Sequence, residues 1–192
     1  FEVALRIDAE GRFSGEVLAS RKAEGEPDMR LTLYLCLSQR EKFEWMLQKC
    51  TEVGATAFVP VISSRSLVQK AGAVEKKYTR WQKIIQEAAE QSGRGCIPRL
   101  EAVMPFDRAV EAAAKGDAAI IPWIGETAHS LTEALQGALS GGAAVAAMIG
   151  PEGGFSYEEA AAAQAAGVQP ATLGRRVLRM ETAAVVTAAL VM

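Results

Sequence analysis

Three arginines, Arg175, Arg176 and Arg179, crowd the segment Leu173-Gly174-Arg175-Arg176-Val177-Leu178-Arg179-Met180-Glu181. A guanidinium donates hydrogen bonds in a plane, so such a cluster suits a phosphate or a carboxylate. The other reading is a solvated basic loop closed by Glu181 at a helix start. Upstream, Ile149-Gly150-Pro151-Glu152-Gly153-Gly154-Phe155-Ser156 ends an apolar run with three glycines and a proline before a helical pattern begins. Glycine lets the backbone approach a ligand closely, and a helix start offers unpaired N–H groups. A turn of this composition also joins strand to helix in α/β proteins that bind nothing there.

Composition removes other chemistries. One histidine, His129, cannot make a two-histidine metal site, and its place beside Ser130 reads as an exposed loop position. No GxxxxGK[ST] or GxGxxG is present, which leaves a P-loop or dinucleotide site without its phosphate cradle. Cys36, Cys50 and Cys96 are odd in number and widely spaced, suggesting neither a disulfide framework nor zinc, and fitting a reducing cytoplasm. A net charge of −2 over 192 residues confines any polyanion site to a local patch. An apolar fraction of 49% without a membrane-length run is that of a soluble globular chain. The first residue is Phe1, and the chain reads as truncated at its start.

The elements that must position these segments follow from periodicity. Phe1, Val3, Leu5 and Ile7 alternate with polar neighbours, Asp8 to Gly11 supply a turn, and a second alternating run spans Arg12 to Ala19, which predicts a β-hairpin. Linker composition from Ser20 to Asp28 puts a domain boundary near residue 29. Strands are then expected at Leu31–Leu37, Ala57–Ile62, Ile97–Val103, Ala118–Trp123, Ala144–Ile149 and Ala171–Leu173. Between them lie helices at Glu41–Val53, Val74–Ser92, Pro105–Ala114 and Ser130–Leu139, one after Gly154, and a last one from Glu181. Ser38 with Glu41 and Ser156 with Glu159 form capping boxes, and Gly54 and Gly167 act as stops. The alternation defines an α/β fold with a mainly parallel sheet, whose ligands sit beyond the carboxyl ends of the strands.

Together, GPEGGFS and LGRRVLRMETA resemble the RsmE family of SPOUT methyltransferases. In the same order, Lys42 to Gly54, Ser64-Arg65-Ser66, Arg80-Trp81, Glu87 to Arg94 and Ile97-Pro98 extend the likeness over residues 30 to 192. The resemblance implies a deep trefoil knot with helices on both faces of the sheet, covering residues 29–192. It also implies that residues 1–28 are the C-terminal part of a PUA-like β-barrel that helps bind RNA. The implied cofactor is S-adenosyl-L-methionine, held by Pro122, by Ile149, Gly150, Pro151, Glu152 and Gly153, and by Leu173, Gly174, Val177 and Leu178. A homodimer completing each active site, with no metal and no membrane, is implied too.

The implied reaction is methylation of N3 of a uridine in 16S rRNA, as naked RNA or in the small ribosomal subunit. The uracil imide is mostly protonated at neutral pH, so the site must favour loss of that proton. Glu181 is the candidate to accept or orient it, with helix capping as its other role. Arg179 is the candidate for a phosphate or an oxygen of the base, and Arg175 and Arg176 for further RNA contacts. A non-catalytic RNA-binding or ribosome-associated protein, and more remotely a phosphate-binding enzyme, are the alternatives. Trp45 and Trp81 are expected in the core, Met180 in packing, and Trp123 near the pocket. The nearly all-apolar last helix is expected to be buried in the core or against a second subunit.

Overall fold

In the computed structural model, residues 1–21, 25–136 and 142–192 are described. β1 (Glu2–Ile7) and β2 (Phe13–Ala19) form the expected antiparallel hairpin, closed by Asp8, whose Oδ1 accepts the Glu10 and Arg12 amides. Val3, Leu5, Ile7, Phe13, Val17 and Leu18 all lie exposed on it.

The rest of the chain builds one parallel sheet from β3 (Arg30–Cys36), β4 (Ala57–Ile62), β5 (Arg99–Leu100), β6 (Met104–Pro105), β7 (Ala118–Pro122), β8 (Ala144–Ile149) and β9 (Gln169–Ala171). Its order is β5-β4-β3-β8-β7-β9, with β6 also paired to β4. Near-continuous apolar runs explain the central strands, because a parallel strand is buried on both faces. Leu31, Leu33 and Leu35 of β3 are wholly buried, each contributing about 1.5–3 kcal/mol of hydrophobic stabilisation.

Among the described residues six α-helices accompany the sheet: α1 (Arg40–Val53), α2 (Tyr78–Gln91), α3 (Phe106–Ala113), α4 (Leu131–Ala134), α5 (Tyr157–Ala165) and α6 (Met180–Val191). α1 packs on α2 and α6, and α6 packs on β3 and β8. The expected helix Ser130–Leu139 is seen as α4, opened by a Ser130–Glu133 capping box; residues 137–139 lie outside the described residues, as do residues 22–24 of the linker.

Five expectations are corrected. The Ser38–Glu41 capping box does not form: α1 starts at Arg40 with Gln39 as its cap, and the Gln39 amide donates instead to Oε1 of Glu152 at 3.3 Å. The helix from Val74 begins as 3₁₀ turns at Ala71–Ala73 and Glu75–Lys77 around the buried Val74, and α2 proper starts at Tyr78. Of the expected strand Ile97–Val103 only Arg99–Leu100 is strand, as β5, starting after Pro98, which has no amide donor; β6 begins beyond it at Met104. β9 ends at Ala171, and Thr172 makes only a bridge to Ser130. Trp45 is 42% exposed while Trp81 is buried; Phe43, Met46, Leu47 and Cys50 fill the inward face of α1, and helical geometry puts Trp45 on the opposite side.

Candidate functional site

The carboxyl ends of β7, β8 and β9 open onto one cavity of about 430 Å³. Pro122 and Trp123 line it from the first loop, Ile149 to Phe155 from the second, and Thr172 to Glu181 from the third. All fourteen residues singled out in the sequence for cofactor, RNA or chemistry therefore face one space. Lys42, Glu126 and Thr127, which carry no site signal in the sequence, also line it. Lys42 arrives from α1, distant in sequence, and no local motif signals it.

The Gly150–Gly154 loop is fixed from three sides. Beneath it, Phe155 is buried and meets Phe106 with ring centroids 5.5 Å apart. A side-chain carbon at Gly150 would come within 3.1 Å of that Phe155 ring and 3.2 Å of its amide nitrogen, so glycine is needed for this close approach. At one end, Glu152 accepts from the Gln39 amide and lies 3.4 Å from the Lys42 ammonium, tying the loop to the start of α1. On the outside, Arg65 Nη1 donates to the Gly153 carbonyl at 2.9 Å. A side chain at Gly153 would point at Arg65, whose Cδ lies 3.5 Å from the position of its first carbon.

Arg65 belongs to a turn held on α5. Glu159 accepts the Ser64 amide at 2.8 Å through Oε1 and the Ser156 amide at 2.9 Å through Oε2, while Ser156 Oγ accepts from the Glu159 amide. The expected Ser156–Glu159 capping box is thus formed, and its glutamate also positions the Ser64-Arg65-Ser66 segment. Gln69 completes the turn by donating to the carbonyls of Ser63 and Ser66.

The third loop turns at Gly174, whose φ of +106° is a left-handed conformation suited to glycine. Arg175, Arg176 and Arg179 are exposed, and no hydrogen bond or ion pair holds their side chains among the described residues. Met180 is buried as packing. Arg179 occupies the cap position of α6 and no side chain caps that helix, so Glu181 is not its cap. Glu181 Oε2 is instead buried without a hydrogen-bond partner.

Trp123 meets Tyr157 edge-on, with centroids 5.8 Å apart. Next to it, Glu126 accepts the amides of Ala128 and His129, which hold its carboxyl below the usual range. His129 is exposed, as its sequence context implied, with Nδ1 3.5 Å from Glu126. Among the described residues no cluster of His, Cys, Asp or Glu is placed to hold a metal, and no helix is long and apolar enough to cross a membrane.

This fold has known counterparts. A family model described as the RNA methyltransferase domain matches residues 25–192, and the chain belongs to that family. The ribosomal RNA small subunit methyltransferase E of Bacillus subtilis is 33% identical over 189 residues, covering 95% of this chain and 74% of that protein. The protein of the same name from Synechocystis is 33% identical over 176 residues, and the chain spans only 57% of its length. A crystal structure of the Neisseria gonorrhoeae protein of that name, bound to S-adenosyl methionine, superposes with a TM-score of 0.80 at 31% identity, covering 98% of this chain and 76% of that one. The resemblance read from GPEGGFS and LGRRVLRMETA is borne out.

Proposed function

We propose that this protein transfers a methyl group from S-adenosyl-L-methionine to N3 of a uridine in 16S rRNA, free or within the small ribosomal subunit. The observation that carries the reading is the convergence of three loops, two of them bearing the family's motif residues, on one cavity of a size ordinary for small-molecule sites. Pro122, Ile149, Leu173, Val177 and Leu178 offer aliphatic surface, and Gly150 to Gly153 and Gly174 offer backbone groups. That lining fits an adenine and a sulfonium better than a triphosphate. When bound, the cofactor supplies an electrophilic methyl carbon open to in-line displacement.

The chain's own residues handle the proton and the RNA. Glu181 Oε2, buried and unpartnered, is an acceptor awaiting a donor, and the uracil N3–H is such a donor. Its carboxylate would take or orient that proton as the new N–C bond forms. Arg179, two residues away, would hold a base oxygen or the adjoining phosphate, with Arg175 and Arg176 gripping the backbone.

In this reading residues 29–192 form the methyltransferase domain with a deep trefoil knot, supported by a late strand, β8, lying between β3 and β7. Residues 1–28 are the C-terminal part of a PUA-like RNA-binding barrel, supported by the exposed apolar side chains of β1 and β2. The protein acts as a cytoplasmic homodimer through α6, whose Leu190 is 53% exposed. Calorimetric titration with S-adenosylmethionine should give one site per chain, and rRNA from cells lacking the gene should lose one N3-methyluridine by mass spectrometry. No heat of binding, with RNA binding retained, would leave the non-catalytic reading.

A further inference from the structure

Trp123 is more than part of the cavity wall. A side-chain carbon at Gly125 would lie 2.5 Å from Cζ2 and 2.6 Å from Cζ3 of the Trp123 ring, with Cη2 between them at least as near. A point almost equidistant from three successive ring atoms sits over the ring's face, so the Gly125 backbone closes one face of the indole. Tyr157 packs against the same ring in T-shaped geometry, with centroids 5.8 Å apart. Trp123 is only half-buried and lines the cavity, so part of the indole is open to that space.

The setting of that open part differs from the aliphatic floor. Tyr157 beside it is 72% exposed, Ile124 next in the chain is 72% exposed, and Val177 across the cavity is 80% exposed. The unpaired Arg175 and Arg176 line the same cavity. An aromatic face with apolar neighbours and free guanidiniums is the combination that binds an unstacked nucleobase and its phosphates. A phosphate group alone would have no use for the indole.

We propose that Trp123, seated on Gly125 and packed against Tyr157, is the platform on which the target base of the RNA stacks after leaving its own helix. This rests on the methyl-transfer reading above and adds the residue that receives the base. A flipped base loses its stacking partners, and an aromatic side chain already fixed in place replaces one of them without further ordering.

The test measures methylation of small ribosomal subunits from cells lacking the gene, together with S-adenosylmethionine affinity by calorimetry, for Trp123→Ala, Trp123→Phe and Gly125→Ala in the intact protein. Trp123→Ala should raise KM for the subunit by roughly tenfold, the range of base–aromatic stacking, with cofactor Kd unchanged within about twofold. Trp123→Phe should restore most of the loss. Gly125→Ala, which keeps the indole but pushes it off its seat, should shift KM in the same direction as Trp123→Ala. A wild-type KM in both Trp123→Ala and Gly125→Ala would overturn the proposal. So would a parallel fall in cofactor affinity, which would assign the ring to the cofactor instead. Wild-type protein that binds no S-adenosylmethionine would refute the methyl-transfer reading itself, a result distinct from either.

Discussion

Arginines at the two ends of the sheet live in opposite circumstances. Beyond the amino-terminal ends of the strands, Arg94 has a side chain only 5% exposed. It donates to the carbonyls of Thr51 and Ala55 at 3.0 and 2.6 Å, and to Glu26 at 2.9 Å. Glu26 also accepts the amides of Gly95 and Cys96, so the segment entering the domain is clamped to the ends of α1 and α2. Beyond the carboxyl-terminal ends, Arg175, Arg176 and Arg179 have no such partners among the described residues. A buried charge needs its partners present in the fold, whereas an unpaired exposed charge beside a cavity is available to a ligand. The first kind completes the fold and the second, in the proposed function, awaits RNA, although the sequence writes both as Arg.

That contrast breaks if Arg94→Ala proves harmless. Leaving Glu26 partly buried and unpaired should cost about 3–5 kcal/mol in urea denaturation, with cofactor affinity of the folded fraction unchanged. The hydrogen bond from Arg94 is the main cause holding the Glu26 carboxyl below the usual range. Its stabilisation is therefore complete above the ordinary carboxylate pKa and is lost as pH falls through the lowered folded value. The gap between wild type and Arg94→Ala should shrink accordingly from pH 7 toward pH 3.

At the other end the expected losses are in chemistry. Glu181→Gln should lower the single-turnover methylation rate by roughly a hundredfold with cofactor affinity kept, and higher pH should restore part of it by supplying uridine anion. Arg179→Ala should behave alike without the pH rescue. Full rates in both would place the chemistry outside this loop. The smallest effect sharpens the comparison most: Arg175→Ala and Arg176→Ala should leave thermal stability unchanged while weakening RNA binding. Each should reduce the slope of log affinity against log salt by about one.

What is legible in the sequence divides along similar lines. β4 and β8 lie at their expected limits and β3, β7 and α6 within a residue, because apolar runs and helix stops are local signals. The cavity's two motif loops were legible as Gly-rich and Arg-rich segments after strands. Nothing local announces that Glu152 would displace Ser38 and Glu41 at the start of α1, that Arg65 would hold the Gly153 carbonyl, or that Arg94 would meet Glu26. Those bonds exist only once distant segments meet. The exposure of Trp45 is a different case, since its angle on α1 relative to Phe43 and Met46 was already fixed by the sequence.

The bond from the Gln39 amide to Glu152 joins positions 113 apart in the chain, and that from Ser64 to Glu159 joins positions 95 apart. Closing such loops costs chain entropy before any native contact repays it, and parallel pairing of distant strands is slow for that reason. β8 must insert between β3 and β7 before the Gly150–Gly154 loop exists at all. The cavity therefore depends on contacts between distant segments, and during synthesis it gains its third wall only once residues 172–181 have emerged from the ribosome.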